Sequence, residues 1–570
     1  MQKKHSAIWR KGMILGGSIL WVLALCMQAG ASLEPVYARH AMVAAPEAQA
    51  AAAGLEILRQ GGNAFDAAVA VGFALAVTYP AAGNLGGGGF LTALTAEGKP
   101  MFLDFRETAP QSATRDMYLD AAGRVIIGDS TDSYRAVGVP GTVHGLLRIL
   151  EDHGILSRRQ VLASAIRLAE KGFLVSHSLH ESLADSDTQK QLIKYPATRR
   201  IFYPNGSPLG FGDRLQQPDL AKTLQRIRRA GVQGFYEGET AKRLAAAMRA
   251  HGGLITEEDL RAYRSVYRDP IELEYKDYHL ILPAPPSSGG VTMGQILKLV
   301  EPLPLAEMGF NSARYANALA EAERLAFADR NVYLGDPDFV KIPLRGLLSP
   351  KYLDARRRTL PLGRAGVELG AGPGRPEAEE TTHFCVVDPW RNVAAITYTL
   401  NGGFGMGAVV DGAGFFLNNE MDDFSASPGQ PNMFGLTGAE ANDIAPGKRM
   451  LSSMAPTIVT RKGQFFCTFG TPGGPTILTT NVQIFLNLVE FGMNIREAIA
   501  APRFHHQGQP DKMVHESFAF SQDTIERLQQ MGYVLQKRST LGMAAGIQST
   551  EEGWLAGYAD GRGEGVAVGE

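Results

Sequence analysis

Two β-branched runs, Thr381-Thr382-His383-Phe384-Cys385-Val386-Val387 and Val393-Ala394-Ala395-Ile396-Thr397-Tyr398-Thr399-Leu400-Asn401, flank the five-residue segment Asp388-Pro389-Trp390-Arg391-Asn392. Strand-forming residues on either side of a short Asp/Pro/Asn loop predict an antiparallel hairpin. If Val387 pairs with Val393, Thr381 stands directly opposite Thr399 on the same face, with Cβ atoms about 4.5 to 5.5 Å apart. The segment just before the hairpin is of another kind. Residues 361–380 carry Gly363, Gly366, Gly370, Gly372 and Gly374, with Pro361, Pro373 and Pro376, and end in the acidic Glu377, Glu379 and Glu380. That composition predicts an exposed, flexible linker. A cut after Glu380 would leave Thr381 with a free amine beside its own hydroxyl, the arrangement of a self-activating nucleophile. Threonine is also an ordinary strand residue. On the hairpin alone a structural role for Thr381 is the stronger reading, and catalysis the alternative.

The N-terminus points to export. Lys3, Lys4, Arg10 and Lys11 precede an uncharged stretch over residues 12–33, and Ala29-Gly30-Ala31 offers the small residues of a cleavage site. The strongly apolar part, residues 13–27, is short for a bilayer span. We expect residues 1–31 to be a signal peptide and the mature chain to be periplasmic or extracellular, the alternative being an uncleaved membrane anchor. Loss of Cys26 with the signal leaves Cys385 and Cys467, both in apolar strand-like runs. They read as small buried hydrophobes in preference to a disulfide. Lys and Arg number 56 against 58 Asp and Glu, a net charge of −2. Such a balance gives no basic field and excludes nucleic acid as an expected partner.

Upstream, residues 46–79 have a helical period broken at Gly61-Gly62, with Asn63 and Asp66 restarting it as a capping box. The first helix is amphipathic; the second is apolar all round and therefore buried. Gly83-Asn84-Leu85-Gly86-Gly87-Gly88-Gly89-Phe90 follows. Glycine is the one compositional excess, 65 of 570 residues against a usual ~7 %. The run precedes a strand-like segment, opens no helix and has no Lys-Ser/Thr after it, so a nucleotide loop is rejected. Further helices are expected from a Thr256/Asp259 cap, over residues 315–334, near 476–491 and near 523–531, with short strands beyond the linker.

Eight motifs in order resemble the γ-glutamyltranspeptidases, over essentially the whole exported chain. Thr381-Thr382-His383-Phe384 matches the processing and nucleophile motif, and Leu417-Asn418-Asn419-Glu420-Met421-Asp422-Asp423-Phe424 a second block. Lys448-Arg449-Met450-Leu451-Ser452-Ser453-Met454-Ala455-Pro456-Thr457 and Gly470-Thr471-Pro472-Gly473-Gly474 match a third and a fourth. Residues 83–90, Leu103-Asp104-Phe105-Arg106-Glu107, Val139-Pro140-Gly141-Thr142 and Pro285-Pro286-Ser287-Ser288-Gly289-Gly290 match upstream. The resemblance implies an α+β fold, a four-layered αββα sandwich of the N-terminal-nucleophile hydrolase type. It also implies a precursor that cleaves itself between Glu380 and Thr381 into a large subunit (32–380) and a small catalytic subunit (381–570), which form the sandwich jointly as a heterodimer. The implied activity is γ-glutamyl transfer and hydrolysis. Glutathione and related γ-glutamyl compounds would donate through an ester on Thr381; water, amino acids or dipeptides would accept.

By the same resemblance Thr399 orients the Thr381 amine, and Gly473 and Gly474 form the oxyanion hole. Arg106, Ser452 and Ser453 hold the substrate α-carboxylate; Asn401, Glu420 and Asp423 hold its α-ammonium. Guanidinium suits a carboxylate, and paired carboxylates suit a buried cation. Taken alone, Arg106-Glu107 reads as a surface ion pair, Asp422-Asp423 as a helix cap or solvated loop, Ser452-Ser453 and Pro472-Gly473-Gly474 as turns. Residues 428–448 are long enough for a lid, but the position where some bacterial members carry a tyrosine is Phe434. A phenyl ring cannot donate a hydrogen bond to Asn401, which predicts a looser lid and a shift toward hydrolysis or larger acceptors. Glu420 stands where some members have Gln and should strengthen ammonium binding. No cofactor is implied. No metal site is expected: His383, His505 and His506 lack ligand spacing, and His505-His506 adjacent in a strand would point to opposite faces. The competing readings are a glutaryl or cephalosporin acylase, a poly-γ-glutamate-processing enzyme, and an uncleaved non-catalytic periplasmic relative.

Overall fold

The structure, a computed structural model, describes residues 34–366, 381–427 and 429–570. The expected export signal with Cys26, most of the linker including Glu380, and Pro428 lie outside the described residues. Every element described belongs to the unit Val36–Glu570.

The hairpin forms as its sequence predicts. Strands Thr381–Val387 and Val393–Thr399 are antiparallel, with Val387 opposite Val393 and Thr381 opposite Thr399. They are the central strands of a seven-stranded antiparallel sheet in the order Val566–Gly569, Met42–Ala45, Thr381–Val387, Val393–Thr399, Gly88–Leu94, Pro100–Phe105, Val266–Arg268. A second seven-stranded antiparallel sheet runs Val36–Ala38, Leu555–Ala559, Ala545–Ser549, Gln464–Gly470, Thr457–Arg461, Tyr278–Leu282, Ile271–Tyr275.

Alternation of side chains along each strand assigns the faces. Cys385, Val387, Val393 and Ala395 meet Ile281, Ile458, Ala545 and Ile547 in a cluster between the two sheets. Phe384, Val386, Ala394, Ile396 and Tyr398 turn the other way, into a core shared with helices Ala48–Arg59, Ala64–Thr78 and Thr142–His153. The second sheet packs its far face on helices Gly289–Val300, Ala313–Tyr333 and Thr476–Val489. Both hairpin faces are thus covered, which is why every position of its two strands is buried and its runs show no apolar/polar alternation. Thr381 and Thr399 share the parity of Cys385 and Ala395, so both hydroxyls lie on the face toward the second sheet. Cys385 and Cys467 are buried free thiols.

The expected caps are present. Asn63 and Asp66 form a reciprocal capping box, and the helix they start, Ala64–Thr78, is buried at every position. Thr256 and Asp259 form another. Such a cap stabilises its helix by about 1 kcal/mol. The glycine run acquires a reason at the strand Gly88–Leu94, where Gly88 pairs with Thr399 and Gly89 with Tyr398. A Cβ on Gly87 would collide with the Thr399 carbonyl, and one on Gly89 with the Thr397 carbonyl. Bare backbone is what lets this strand close on the Thr399 end of the hairpin. Asn84 holds the turn, donating to the Thr399 carbonyl at 2.9 Å and accepting from Gly87 N at 2.9 Å.

The strand holding His505 is only Phe504–His505 and ends before His506. Both histidines are buried. Among the described residues no helix is long and apolar enough to cross a membrane.

Candidate active site

Ten of the residues singled out in the sequence line one pocket: Arg106, Thr381, Thr399, Asn401, Glu420, Asp423, Phe434, Ser452, Ser453 and Gly474. Gly473 adjoins them through the chain. They come from segments far apart in sequence, and the fold explains each placement.

The hairpin supplies the threonine pair. Thr381 Oγ1 donates to Thr399 Oγ1 at 3.4 Å, and Thr399 Oγ1 also accepts from Asn401 N at 2.9 Å. Both threonines are buried. Asn401 ends the strand with φ of +76°, a left-handed conformation that asparagine tolerates better than most residues. It turns the chain so that the Asn401 amide donates to the Asn419 carbonyl at 3.0 Å and to Met433 Sδ at 3.4 Å.

Gly473 and Gly474 follow the strand Gln464–Gly470 of the second sheet and precede helix Thr476–Val489. Their φ values are +133° and +53°, and a Cβ on Gly474 would lie 2.9 Å from the Phe434 ring. Glycine is required at this corner on both counts. Neither N–H donates to another group among the described residues, while the Gly473 carbonyl is taken by Thr476 Oγ1 at 2.7 Å and Thr476 N at 3.0 Å. Two unspent N–H groups at a helix N-terminus suit an oxyanion.

The charged end of the pocket is assembled around Arg106. Its side chain is fully buried, contrary to the surface ion pair that Arg106-Glu107 suggests in isolation. Arg106 Nη1 pairs with Glu420 and Nη2 with Asp423, and Glu107 lies 3.5 Å from Nη1. Glu420 and Asp423 sit on a buried 3₁₀ turn, Glu420–Asp423, in place of a solvated loop. The turn is held by Asn418, whose side chain donates to Gly86 O (2.7 Å) and Gly138 O (2.8 Å) and accepts from Gly138 N (2.8 Å) and Glu420 N (3.0 Å). That single amide ties the second block to the glycine run and to Gly138, just before the Val139-to-Thr142 motif. The residues expected to take opposite ends of a zwitterion are therefore bound to one another.

Burial sets the electrostatics. It pushes the Glu420 carboxyl up to about 7, with Arg106 pulling it down and Asp423 pushing it up. Asp423 is raised by burial against the pull of Arg106 and then Arg330. Burial also lifts Glu107, and raises Asp422 to about 6.

Ser452 and Ser453 are seated by the Pro285-to-Gly290 motif. Ser452 N donates to Pro286 O at 2.9 Å, Ser288 N to Ser452 O at 2.7 Å, and Ser287 Oγ to Met454 O at 2.7 Å.

The segment after Pro428 covers the site, and its attachment differs from the expected looser lid. Phe434 is buried against Gly474. Met433 N donates to Asp422 Oδ2 at 2.9 Å, and Asn432 Nδ2 to Asp423 Oδ1 at 3.3 Å. Asn432 Oδ1 accepts from Phe434 N and Leu436 N. The missing tyrosine hydroxyl is thus replaced by backbone and asparagine pegs, and Asn401 meets the Met433 sulfur instead. Sequence reasoning passed over Met433, Asn432, Asn418 and Arg330. Each is an unremarkable residue in its own segment, and none has a local pattern that marks it.

Among the described residues no group of three or more His, Cys, Asp or Glu is placed to hold a metal ion. His383 is buried with its Nδ1 2.8 Å from Thr397 Oγ1 and packs against Gly470; desolvation lowers its pKa to about 3.

Comparison with known proteins agrees with this geometry. The family model described as Gamma-glutamyltranspeptidase matches residues 50–570. The glutathione hydrolase proenzyme of Pseudomonas sp. (strain A14) is 47% identical over 506 residues, spanning 88% of each chain. That of Escherichia coli (strain K12) is 44% identical over 531 residues, covering 93% of this chain and 91% of the relative. Among solved structures, cephalosporin acylase from Bacillus halodurans superposes with a TM-score of 0.83 at 27% identity, covering 95% of this chain and 98% of the other. On the match over residues 50–570 and the full-length relatives, the chain belongs to the γ-glutamyltranspeptidase family.

Proposed function

We propose that the chain is a γ-glutamyltransferase and glutathione hydrolase that works through a γ-glutamyl ester on Thr381. The observation that carries this reading is the convergence, in and beside one pocket, of a paired Thr381/Thr399, two backbone N–H groups that have no partner among the described residues and a buried cluster of both charge signs.

Maturation comes first. The Thr381 hydroxyl attacks the carbonyl of Glu380; the C–N bond breaks as the ester forms, which frees the Thr381 amine, and water then hydrolyses the ester to release the Glu380 carboxylate and restore the Thr381 hydroxyl. The large (32–380) and small (381–570) subunits stay together because each sheet takes strands from both sides of the cut. The three apolar clusters, one between the sheets and one outside each, support the four-layered αββα sandwich of an N-terminal-nucleophile hydrolase. In turnover the α-amine, with an ordinary pKa of about 7.7 to 8.0, takes the Thr381 proton. Oγ1 adds to the γ-carbonyl, and the oxyanion is received by Gly473 and Gly474 N–H. The leaving amine takes the proton and departs. Water or an acceptor amine then attacks the ester, which gives ping-pong kinetics.

The head-group site supports a γ-glutamyl donor over a glutaryl one. In binding, the α-ammonium takes Glu420 and Asp423 while the α-carboxylate takes Arg106, Ser452 and Ser453, so each internal ion pair is exchanged for an external one of the same kind. A glutaryl group would draw Arg106 away and leave two buried carboxylates without a cation, an expensive arrangement. The lack of a hydroxyl on Phe434, which leaves Asn401 on the Met433 sulfur, supports a balance tilted toward hydrolysis, and the charge pattern of residues 1–33 supports export to the periplasm or beyond. The test is turnover of glutathione and of a γ-glutamyl anilide, with and without a dipeptide acceptor. Wild type should release glutamate alone and transfer product with acceptor, and Thr381→Ala neither; no release by a correctly processed wild type would refute the reading.

A further inference from the structure

Arg330 is a buried guanidinium that the catalytic scheme does not use. It lies in the last turn of helix Ala313–Tyr333 and is 4% exposed. Its three hydrogen bonds go to neutral acceptors: Nε to Ser288 Oγ, Nη1 to Asn331 Oδ1 and Nη2 to Ser453 Oγ, each at 3.2 Å. Among the described residues no carboxylate comes within ion-pair distance. Desolvation lowers its pKa to about 10, against the field of Asp423, so it stays charged at neutral pH. A buried cation with only neutral partners is costly. Arg106, by contrast, already faces Glu107, Glu420 and Asp423. Arg330 instead spends two of its three hydrogen bonds on serine hydroxyls beside the pocket.

The serine it touches gives that charge a use. A hydroxyl offers one proton and two lone pairs. Ser453 Oγ accepts from Arg330 on the helix side, which leaves its own proton for the pocket. Ser452 Oγ is turned in the same sense by accepting from Met454 N at 3.1 Å. Ser288 completes the frame, accepting from Arg330 Nε and donating to Ser452 O at 2.8 Å. Both pocket serines are thereby set as donors, and a hydroxyl that accepts from a cation donates more strongly.

We propose that Arg330 is a positioning residue: it fixes Ser453 as a donor and, by donating to that hydroxyl, strengthens the hydrogen bond Ser453 gives to an α-carboxylate on the substrate. This rests on the γ-glutamyl reading of the pocket. Arg330 touches no reacting atom; its effect is confined to the head group.

The experiment compares two donors, γ-glutamyl-p-nitroanilide and its α-carboxamide, on wild type, Arg330→Met, Arg330→Lys and Ser453→Ala, each confirmed as cleaved on a gel. Arg330→Met should raise KM for the carboxylate donor about tenfold or more, with kcat within about threefold, and leave the carboxamide donor little changed, so that discrimination collapses. In a Ser453→Ala background the same substitution should add less than about threefold, because the serine through which it acts is gone. Arg330→Lys, which keeps the charge without the fork, should show a smaller KM rise confined to the carboxylate donor, and it serves if the Met variant does not mature. Equal losses on both donors, or full additivity with Ser453→Ala, would overturn the proposal. A cleaved wild type inactive on the carboxylate donor would instead overturn the reading of the pocket.

Discussion

Glu420 offers a prediction in which charge, burial and mechanism meet. Burial holds its pKa at about 7, and only the ionised form pairs fully with a substrate ammonium. A group of pKa 7 is about 91 % ionised at pH 8 and about 9 % at pH 6, a tenfold fall that enters kcat/KM directly. The Thr381 amine must also be neutral to act as base, and it contributes a second loss over the same range. For wild type, log kcat/KM against pH should therefore approach a slope of 2 on the acid side. Glu420→Gln keeps an acceptor for the ammonium but removes the titration. Its acid limb should have a slope of 1. At pH 8 the variant should be about tenfold less efficient, since a charge-assisted hydrogen bond is replaced by a neutral one. That deficit should close to near parity at pH 6, where wild type has lost its carboxylate. Initial rates of anilide release at low substrate concentration give the ratio at each pH. A variant-to-wild-type ratio that stays constant from pH 6 to pH 8 would refute the reasoning, because it would mean that Glu420 does not titrate in this window or does not meet the ammonium.

Two further substitutions probe the corner over the nucleophile. Gly474→Ala puts a Cβ against Phe434 at a φ that alanine resists; it should lower kcat by about 10²-fold or more with little change in KM, and a loss confined to KM would contradict an oxyanion role. Phe434→Tyr gives the lid a hydroxyl to compete with Met433 Sδ for Asn401, and should raise the ratio of transfer to hydrolysis measured with a dipeptide acceptor. An unchanged ratio would remove the lid from the account of acceptor choice.

What the sequence made legible was local. The hairpin register follows from strand runs and a fixed turn length, and it came out residue for residue because each hairpin face is committed to a core. The caps at Asn63/Asp66 and Thr256/Asp259 were readable for the same reason: spacing of three residues decides them. The convergence of Arg106 on Glu420 and Asp423 spans more than 300 positions, and nothing in either segment announces the other; resemblance supplied what periodicity could not. Burial was misjudged where a charged pair was taken alone, as at Arg106-Glu107. The purpose of the glycine run emerges only with the Thr399 strand beside it. Arg330 was invisible, one arginine in a helix rich in charged residues, because its meaning lies in Ser288 and Ser453 across the fold.

The central claim is that Thr381 becomes an N-terminal nucleophile. N-terminal sequencing of the purified, denatured protein tests it most directly, with Thr381→Ala alongside. Wild type should give two fragments, the smaller beginning Thr-Thr-His-Phe, and Thr381→Ala a single inactive chain; an uncut wild type that still turns over γ-glutamyl anilide, or a small fragment with another first residue, would contradict the account.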